Sequence, residues 1–339
     1  MRRVIHIIIL FLAGISLIQV SCSAEAGKAR IVKAGVSHGP SHSFAQALER
    51  FGELLQERTD GRYRVRVYNS AQLGSEKEMQ EMLTLGTAEI TVAGLLNTYE
   101  PLFSVFELPY LYEDREHVLR VNTGEVMQEV SSTLLPMGLR LIGFYENGFR
   151  NITNSVRPIN TPEDVEGLMI RTPENPAQIQ TFKALGAIPT PLSFSELYTA
   201  LLQGLVDGQE NPLQNIWYGR LFEVQQHLAM THHIYNSAYV LISERFWSEL
   251  SEADREIFRE CILESSRWQL DYMRKLDKEL EQKLKTEGME FTYPDRGPFE
   301  KATQPAYDAL YERLGPRAEE IVKDIERLKS VESISQNMK

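Results

Sequence analysis

The stretch ARIVKAGVSHGPSHSFAQALERFGELLQERTDGRYRVRVYNSAQLGSEKEMQEMLTLGTAEITVA, residues 29–93, decides the fold. Residues 29–37 read as extended chain and are broken by Gly39-Pro40, after which Phe44, Ala47, Leu48, Phe51, Leu54 and Leu55 recur at helical spacing. Asp60-Gly61 ends that helix. Tyr63, Val65 and Val67 then alternate with Arg64, Arg66 and Tyr68, the period-two pattern of a strand. Gly74-Ser75 opens a second helix with Met79, Met82, Leu83 and Leu85 as its apolar residues, and Gly86 lies just past its end. A short strand, residues 89–93, follows. Crossovers of this length cannot be hairpins, so the β-α-β-α-β order predicts an α/β sheet containing parallel strands.

The same punctuation recurs downstream. Residues 139–145 read as a strand, TPED (161–164) as an N-cap with proline at the first helical position, and residues 168–171 as the strand opening a second lobe. Residues 176–185, 193–203 and 212–219 read as helices separated by glycine and proline turns. From 251 to 284 nothing interrupts a helical pattern of about 34 residues, which would be ~50 Å long. That exceeds what one compact lobe needs and predicts a strut crossing two. Residues 298–329 are again helical and charged, and 330–339 read as a frayed end.

At the other end, Arg2 and Arg3 precede an apolar run from Val4 to Val20 that gives way to Ser21, Cys22, Ser23 and Ala24. A charged start, a short apolar core and small residues make a secretory signal peptide over 1–24. Two exits compete: cleavage after Ala24 or Ala26, and lipidation of Cys22, the only route to the membrane that the sequence offers. Otherwise Cys22 is discarded with the leader. Cys261 is the other cysteine, so the mature chain has no internal disulfide, and in its helical stretch it reads as a small buried hydrophobe. Roughly 315 mature residues exceed one ordinary core, which again favours two lobes. The net charge of −11, two units more negative without the leader arginines, disfavours nucleic acid as a partner. It also means that an anionic ligand must be held by local arginines against the global field.

Catalytic templates are missing: there is no Gly-x-Ser-x-Gly, His-Glu-x-x-His, Walker loop or dinucleotide-binding glycine pattern, and no cofactor is expected. His232-His233 is not read as a metal site, because neighbours on an extended segment point oppositely and no acidic or cysteine cluster accompanies them. One packed and one exposed histidine is expected. Arg150 follows YENGF (145–149) just after a strand, and Arg171 closes LMI (168–170) before Thr172-Pro173. Ligands of open α/β sheets sit beyond the carboxyl ends of strands, and a guanidinium presents a planar fork that matches a carboxylate. The competing reading of two such arginines is a pair of surface ion-pair partners.

At these residues the chain resembles the DctP-type substrate-binding subunits of TRAP (tripartite ATP-independent periplasmic) transporters along nearly its whole mature length. The resemblance is carried in one order by YNSAQLGSE (68–76), FELPY (106–110), ENGFR (146–150), IRTP (170–173), PLSFSELY (191–198) and VDGQENP (206–212). It implies a two-lobed periplasmic-binding-protein fold of type II-like topology, with a long helix spanning both lobes. The expected lobes are 28–147 plus 237–275 and 148–236 plus 276–330. It also implies a binding protein that catalyses nothing, has a small organic acid as ligand, works in the periplasm and has the two membrane permease subunits as partners. It assigns the main carboxylate clamp to Arg171, a second donor set to Arg150 and a neutral donor to Asn211.

The remaining pocket residues decide which acid is bound. Ser37 and His38 end the first strand, Glu76 starts a helix, and Glu174 follows Arg171 by three residues. A carboxylate there repels a second ligand carboxylate and accepts hydroxyl groups, so a hexuronate or another aldonic-type sugar acid is expected, with a C4-dicarboxylate or 2-oxo acid as the alternative. Glu76 has a second reading as a charge favoured by its helix dipole. Phe194 and Tyr198 read as an apolar wall or as core, and Tyr235 and Asn236 as further contacts. Sialate-binding relatives share the Gln-Glu-Asn-Pro block but differ at Ser37-His38 and Ala93-Gly94, which weighs against sialate. The rival classes are an exported enzyme using Glu76 and His38 as an acid–base pair, and a sensory protein binding the same acid.

Overall fold

The computed structural model describes residues 29–330, and the leader with Cys22 and the residues after 330 lie outside it. In the first half, β1 (Arg30–Gly35), α1 (Ser43–Arg58), β2 (Tyr63–Tyr68), α2 (Glu76–Leu85) and β3 (Ile90–Ala93) form the expected unit, with β1 parallel to both β2 and β3. Helix α2 begins at a Ser75–Glu78 capping box and ends at Gly86 in the left-handed conformation, the two signals its sequence carried. Two short helices, α3 (Arg115–Thr123) and α4 (Glu125–Ser132), lead into the long strand β4 (Leu139–Asn154). The second half comprises β5 (Met169–Thr172), α5 (Pro176–Ala184), β6 (Ile188–Pro191), α6 (Phe194–Leu202), β7 (Gly208–Asn211), α7 (Leu213–Tyr218) and a second long strand, β8 (His227–Ser243). After α8 (Glu244–Ser248) come α9 (Glu252–Thr286), β9 (Glu290–Thr292) and three tail helices: α10 (Arg296–Thr303), α11 (Pro305–Leu314) and α12 (Pro316–Arg327).

One sheet runs through the molecule in the order β2-β1-β3-β8-β4-β7-β5-β6, with β9 pairing the start of β8. The antiparallel pair β4–β8 is its spine, each strand long enough to serve both lobes. Beyond Tyr145, where the sequence reading ended its strand, β4 continues for nine residues. Asn147-Gly148 has the composition of a turn, but here it forms a bulge in which Gly148 takes φ +113° and the register shifts between Glu146 and Gly148. Arg150 therefore lies within a strand instead of past its end.

Helix α9 is the expected strut. Its Phe258, Cys261 and Ile262 are buried with Phe51 and Leu55 of α1, and its Met273, Leu276, Leu280 and Leu284 with Leu197 of α6 and Ile216 of α7. The close approach to the spine needs Gly143, where a Cβ would lie 2.4 Å from Ile262 Cγ2. One expected boundary differs. Residues 276–330 were assigned to the second lobe, yet Ala318, Ile321, Val322 and Ile325 of α12 are buried with Val118, Val121, Met127 and Val130 of α3 and α4. Helix α12 thus returns to the first half, while α10 and α11 stay against α5, because α12 is strongly amphipathic and the apolar faces of α3 and α4 need cover. No helix of the described residues is long and apolar enough to cross a membrane.

Candidate ligand-binding site

A cavity of about 700 Å³ lies between the halves. Ser37 and His38 just beyond β1, Glu76 at the start of α2 and Gly94 beyond β3 line it from the first half. Arg171 on β5, Glu174, Phe194 at the start of α6 and Asn211 at the end of β7 line it from the second. Strand ends and helix starts converge here because the sheet's crossovers place them on one side, the usual location of a ligand in an open α/β sheet.

Arg171 is 2% exposed. Its Nε and Nη2 both donate to the Leu192 carbonyl, at 3.0 and 2.6 Å, and no carboxylate pairs with it among the described residues. Burial, with Arg150 nearby, brings its pKa down from 12.5 to about 10. A desolvated cation held by one carbonyl leaves donors to spare for an anion.

Arg150 is differently placed. Its Nε and Nη2 form a fork onto the Glu210 carboxylate, Nη2 also donates to the Glu210 carbonyl at 2.6 Å, and Nη1 reaches Asn236 Oδ1 at 3.4 Å. His233 Nε2 meets Glu210 at 3.2 Å while Thr231 Oγ1 lies 2.8 Å from Nδ1. Burial disfavours charge on both Glu210 and His233. Arg150 outweighs it for Glu210, whose pKa falls below the ordinary value, whereas burial prevails at His233 and keeps the ring neutral. An Nε2–H tautomer satisfies both of its bonds. Glu210 thus neutralises Arg150, leaving Arg171 as the arginine in the cavity without a counter-charge. Adjacent His232 is exposed and His233 is buried, one exposed and one packed as expected, but through a local irregularity instead of plain alternation: His232 takes φ +44° where the β4–β8 register shifts between Arg150 and Ile152.

Asn211 belongs to a buried relay. Its Oδ1 accepts from Asn215 Nδ2 at 2.8 Å, its Nδ2 donates to Gln209, and Asn215 Oδ1 lies 2.8 Å from His42 Nε2. His42 belongs to the first half, so the relay crosses the cleft. Ser43 Oγ crosses too, to Gln214 Oε1 at 2.7 Å, as does Asn97 Nδ2, to the Glu174 carbonyl at 3.0 Å. The His38 ring stacks on His42 at 4.1 Å and meets Phe194 of the opposite half at 4.6 Å. Burial first, then His42 and Arg150, hold His38 neutral, and both of its ring nitrogens are buried without partners. Glu76 accepts from Gly94 N at 3.0 Å, and burial raises its pKa against the pull of that bond and of the two arginines.

Nine of the eleven residues singled out in the sequence line this cavity; Tyr198 does not, and neither does Tyr235. It is buried against Phe149 and Tyr112, at 5.0 and 5.9 Å, because alternation along β8 turns Tyr235 toward the helices and Asn236 into the cavity. Tyr198 also lies away from the cavity lining, with its hydroxyl on Glu223 at 2.9 Å. The sequence reading passed over Glu107, Asn147 and Gln178, which line the cavity with buried, unpartnered polar atoms. Glu107 was hidden in an apolar run, although a lone carboxylate between Phe106 and Leu108 is itself a signal of a special site. Among the described residues no group of three or more His, Cys, Asp or Glu is placed to hold a metal ion.

Two lobes on a shared spine, closed over a polar cavity fed by strand ends, define a solute-binding protein. Residues 34–314 match the bacterial extracellular solute-binding protein family 7, and the chain belongs to that family, the DctP family of TRAP transporters. The sialic acid-binding periplasmic protein of Vibrio cholerae is 35% identical over 304 residues, 89% of this chain and 94% of that protein. A TRAP solute-binding protein of Roseobacter denitrificans, solved with bound L-galactonate, superposes with a TM-score of 0.82 at 32% identity, covering 87% of this chain and 98% of that one. A further one, from Xanthobacter autotrophicus with bound β-D-galacturonate, gives a TM-score of 0.82 at 26% identity, with coverage of 87% and 99%. The family and fold are those of periplasmic transport proteins, which are not enzymes.

Proposed function

We propose that this protein is the periplasmic receptor of a TRAP transporter and that its ligand is a sugar acid with one carboxylate, a hexuronate or an aldonate, delivered to the two permease subunits. The observation that carries the reading is Arg171, a buried guanidinium without a counter-anion among the described residues, set in a cavity whose other charged groups are carboxyls, the paired Arg150 and the exposed Lys77 at the start of α2. The ligand carboxylate lies on Arg171. Arg150 contributes what remains of Nη1, and Asn211 a neutral amide hydrogen. Ser37, His38, Asn147 and Gln178 then offer unpartnered atoms to hydroxyl groups, while Glu76 and Glu174 disfavour a second carboxylate. The L-galactonate and galacturonate bound by the two solved relatives are of this chemical kind.

A ligand favours the closed form only by contacts it gains there, so one acid must touch Arg171 on one lobe and His38 or Glu76 on the other. Thermal melting with galacturonate, glucuronate, galactonate, succinate, pyruvate and neutral hexoses tests this. A ligand at ~100 times its dissociation constant adds about 2.7 kcal/mol to stability. Shifts with the sugar acids and none with the hexoses are expected. A shift with succinate or pyruvate alone would overturn the sugar-acid reading, and an unchanged shift in Arg171→Ala would overturn the clamp.

A further inference from the structure

A carboxyl that plays no part in holding the ligand carboxylate closes one wall of the cavity. Glu107 ends the 3₁₀ turn Pro101–Glu107 and is 4% exposed. Its Oε1 accepts from Asn236 Nδ2 at 2.7 Å, whereas Oε2 is buried with no partner and the residue lines the cavity. The side chain cannot turn away easily, because Asn236 Oδ1 is itself held by Asn147 Nδ2 at 2.5 Å and by Arg150 Nη1. The charged and titratable groups around it are Arg150 on β4, Glu210 on β7, Glu76 on α2, and the Tyr112 and Tyr239 hydroxyls. A polar atom so placed, desolvated and without a bond, carries a penalty that a hydrogen-bonding ligand group relieves.

We infer that Glu107 is a specificity-determining residue: Oε2 hydrogen-bonds a hydroxyl group of the bound acid, so the protein selects hydroxylated acids over those of equal charge without hydroxyls. This rests on the sugar-acid reading above. Burial foremost, with Glu210 and Glu76 opposing Arg150, pushes its pKa up to about 8. Glu107 therefore carries its proton at neutral pH and both donates and accepts. A ligand anion nearby favours the protonated form further, so binding takes up protons and affinity falls as pH rises through about 8.

Calorimetric titrations with galactonate, galacturonate and the unhydroxylated hexanoate test the inference. Glu107→Ala is expected to lose roughly ten- to a hundredfold in affinity for the best sugar acid and little for hexanoate. Glu107→Gln, which imitates the protonated carboxyl in shape and bonding, keeps affinity at neutral pH and loses the decline above pH 8. Equal losses for hydroxylated and unhydroxylated acids in Glu107→Ala would overturn the inference while leaving the sugar-acid reading intact, as would a wild-type affinity that is flat across pH 8. Failure of the wild type to bind any of the acids would overturn both.

Discussion

Replacing Arg171 with methionine should stabilise the empty protein and remove its ability to respond to ligand. The arginine pKa falls from 12.5 to about 10 in its site. At 1.36 kcal/mol per unit, holding the charge there costs about 3 kcal/mol. Against this stand the two bonds to the Leu192 carbonyl, which share one acceptor and count together as one charge-assisted interaction of about 1.5–3 kcal/mol. Methionine keeps the unbranched stem and fills the space, so packing changes little. The balance is a gain of up to about 1.5 kcal/mol in the free protein, or up to a few degrees in melting temperature for a chain of this size. Ligand affinity moves the other way, by at least the ~1.5–3 kcal/mol of a charge-assisted bond. Melting curves of both proteins, with and without a saturating sugar acid, read the two effects at once. A lower melting temperature for free Arg171→Met would refute the unpaired-cation argument, and a preserved ligand shift would refute the role of Arg171.

Arg150 should behave in the opposite way. Arg150→Met leaves Glu210 buried with His233 as its remaining partner, so urea denaturation should show a loss of about 3–5 kcal/mol, partly restored by adding Glu210→Gln. Stability should fall as pH drops below about 6.5. Burial lowers the His42 pKa to about 3 and also lowers those of His38 and His233, so the unfolded chain binds more protons than the folded one in that range. His42→Gln should remove close to one proton from the slope between about pH 6 and 4, or ~1.4 kcal/mol per pH unit at most, and an unchanged slope would count against a neutral His42. Gly148→Val should cost ~1–3 kcal/mol by thermal melting, because φ +113° suits glycine alone; a neutral outcome would mean that the bulge can rearrange.

What the sequence disclosed and what it hid follow from the range of each signal. Helix α2 was legible to its ends because Gly74-Ser75 and Gly86 act within one turn of it. Helix α9 was legible because thirty-five residues pass without glycine or proline. The spine was not. Asn147-Gly148 is locally a turn, and only pairing with Asn236 across β8 makes it a bulge. Arg171 and Asn211 could be marked as cavity residues because a strand end and a motif pointed to them. The tie between Arg150 and Glu210 depends on two strands lying side by side, a fact of register that no local pattern contains. Tyr235 was misplaced for the same reason: adjacent residues on a strand face opposite ways, and which faces the cavity is settled by tertiary pairing. Glu107 was overlooked because its flanking residues read as core.

The interleaving of the two halves bears on how the chain comes to be folded at all. Thr91 of β3 finds its sheet neighbour in Leu241, and the core around Phe51 waits for Phe258 and Ile262 of α9. Neither half can be completed from residues that lie together in the chain, and closing such long loops is slow. A nascent copy therefore has no finished unit to collapse into until most of its length has left the ribosome. For a member of a family that works outside the cytoplasm, that delay prolongs the extended state in which a polypeptide can be threaded through a membrane pore.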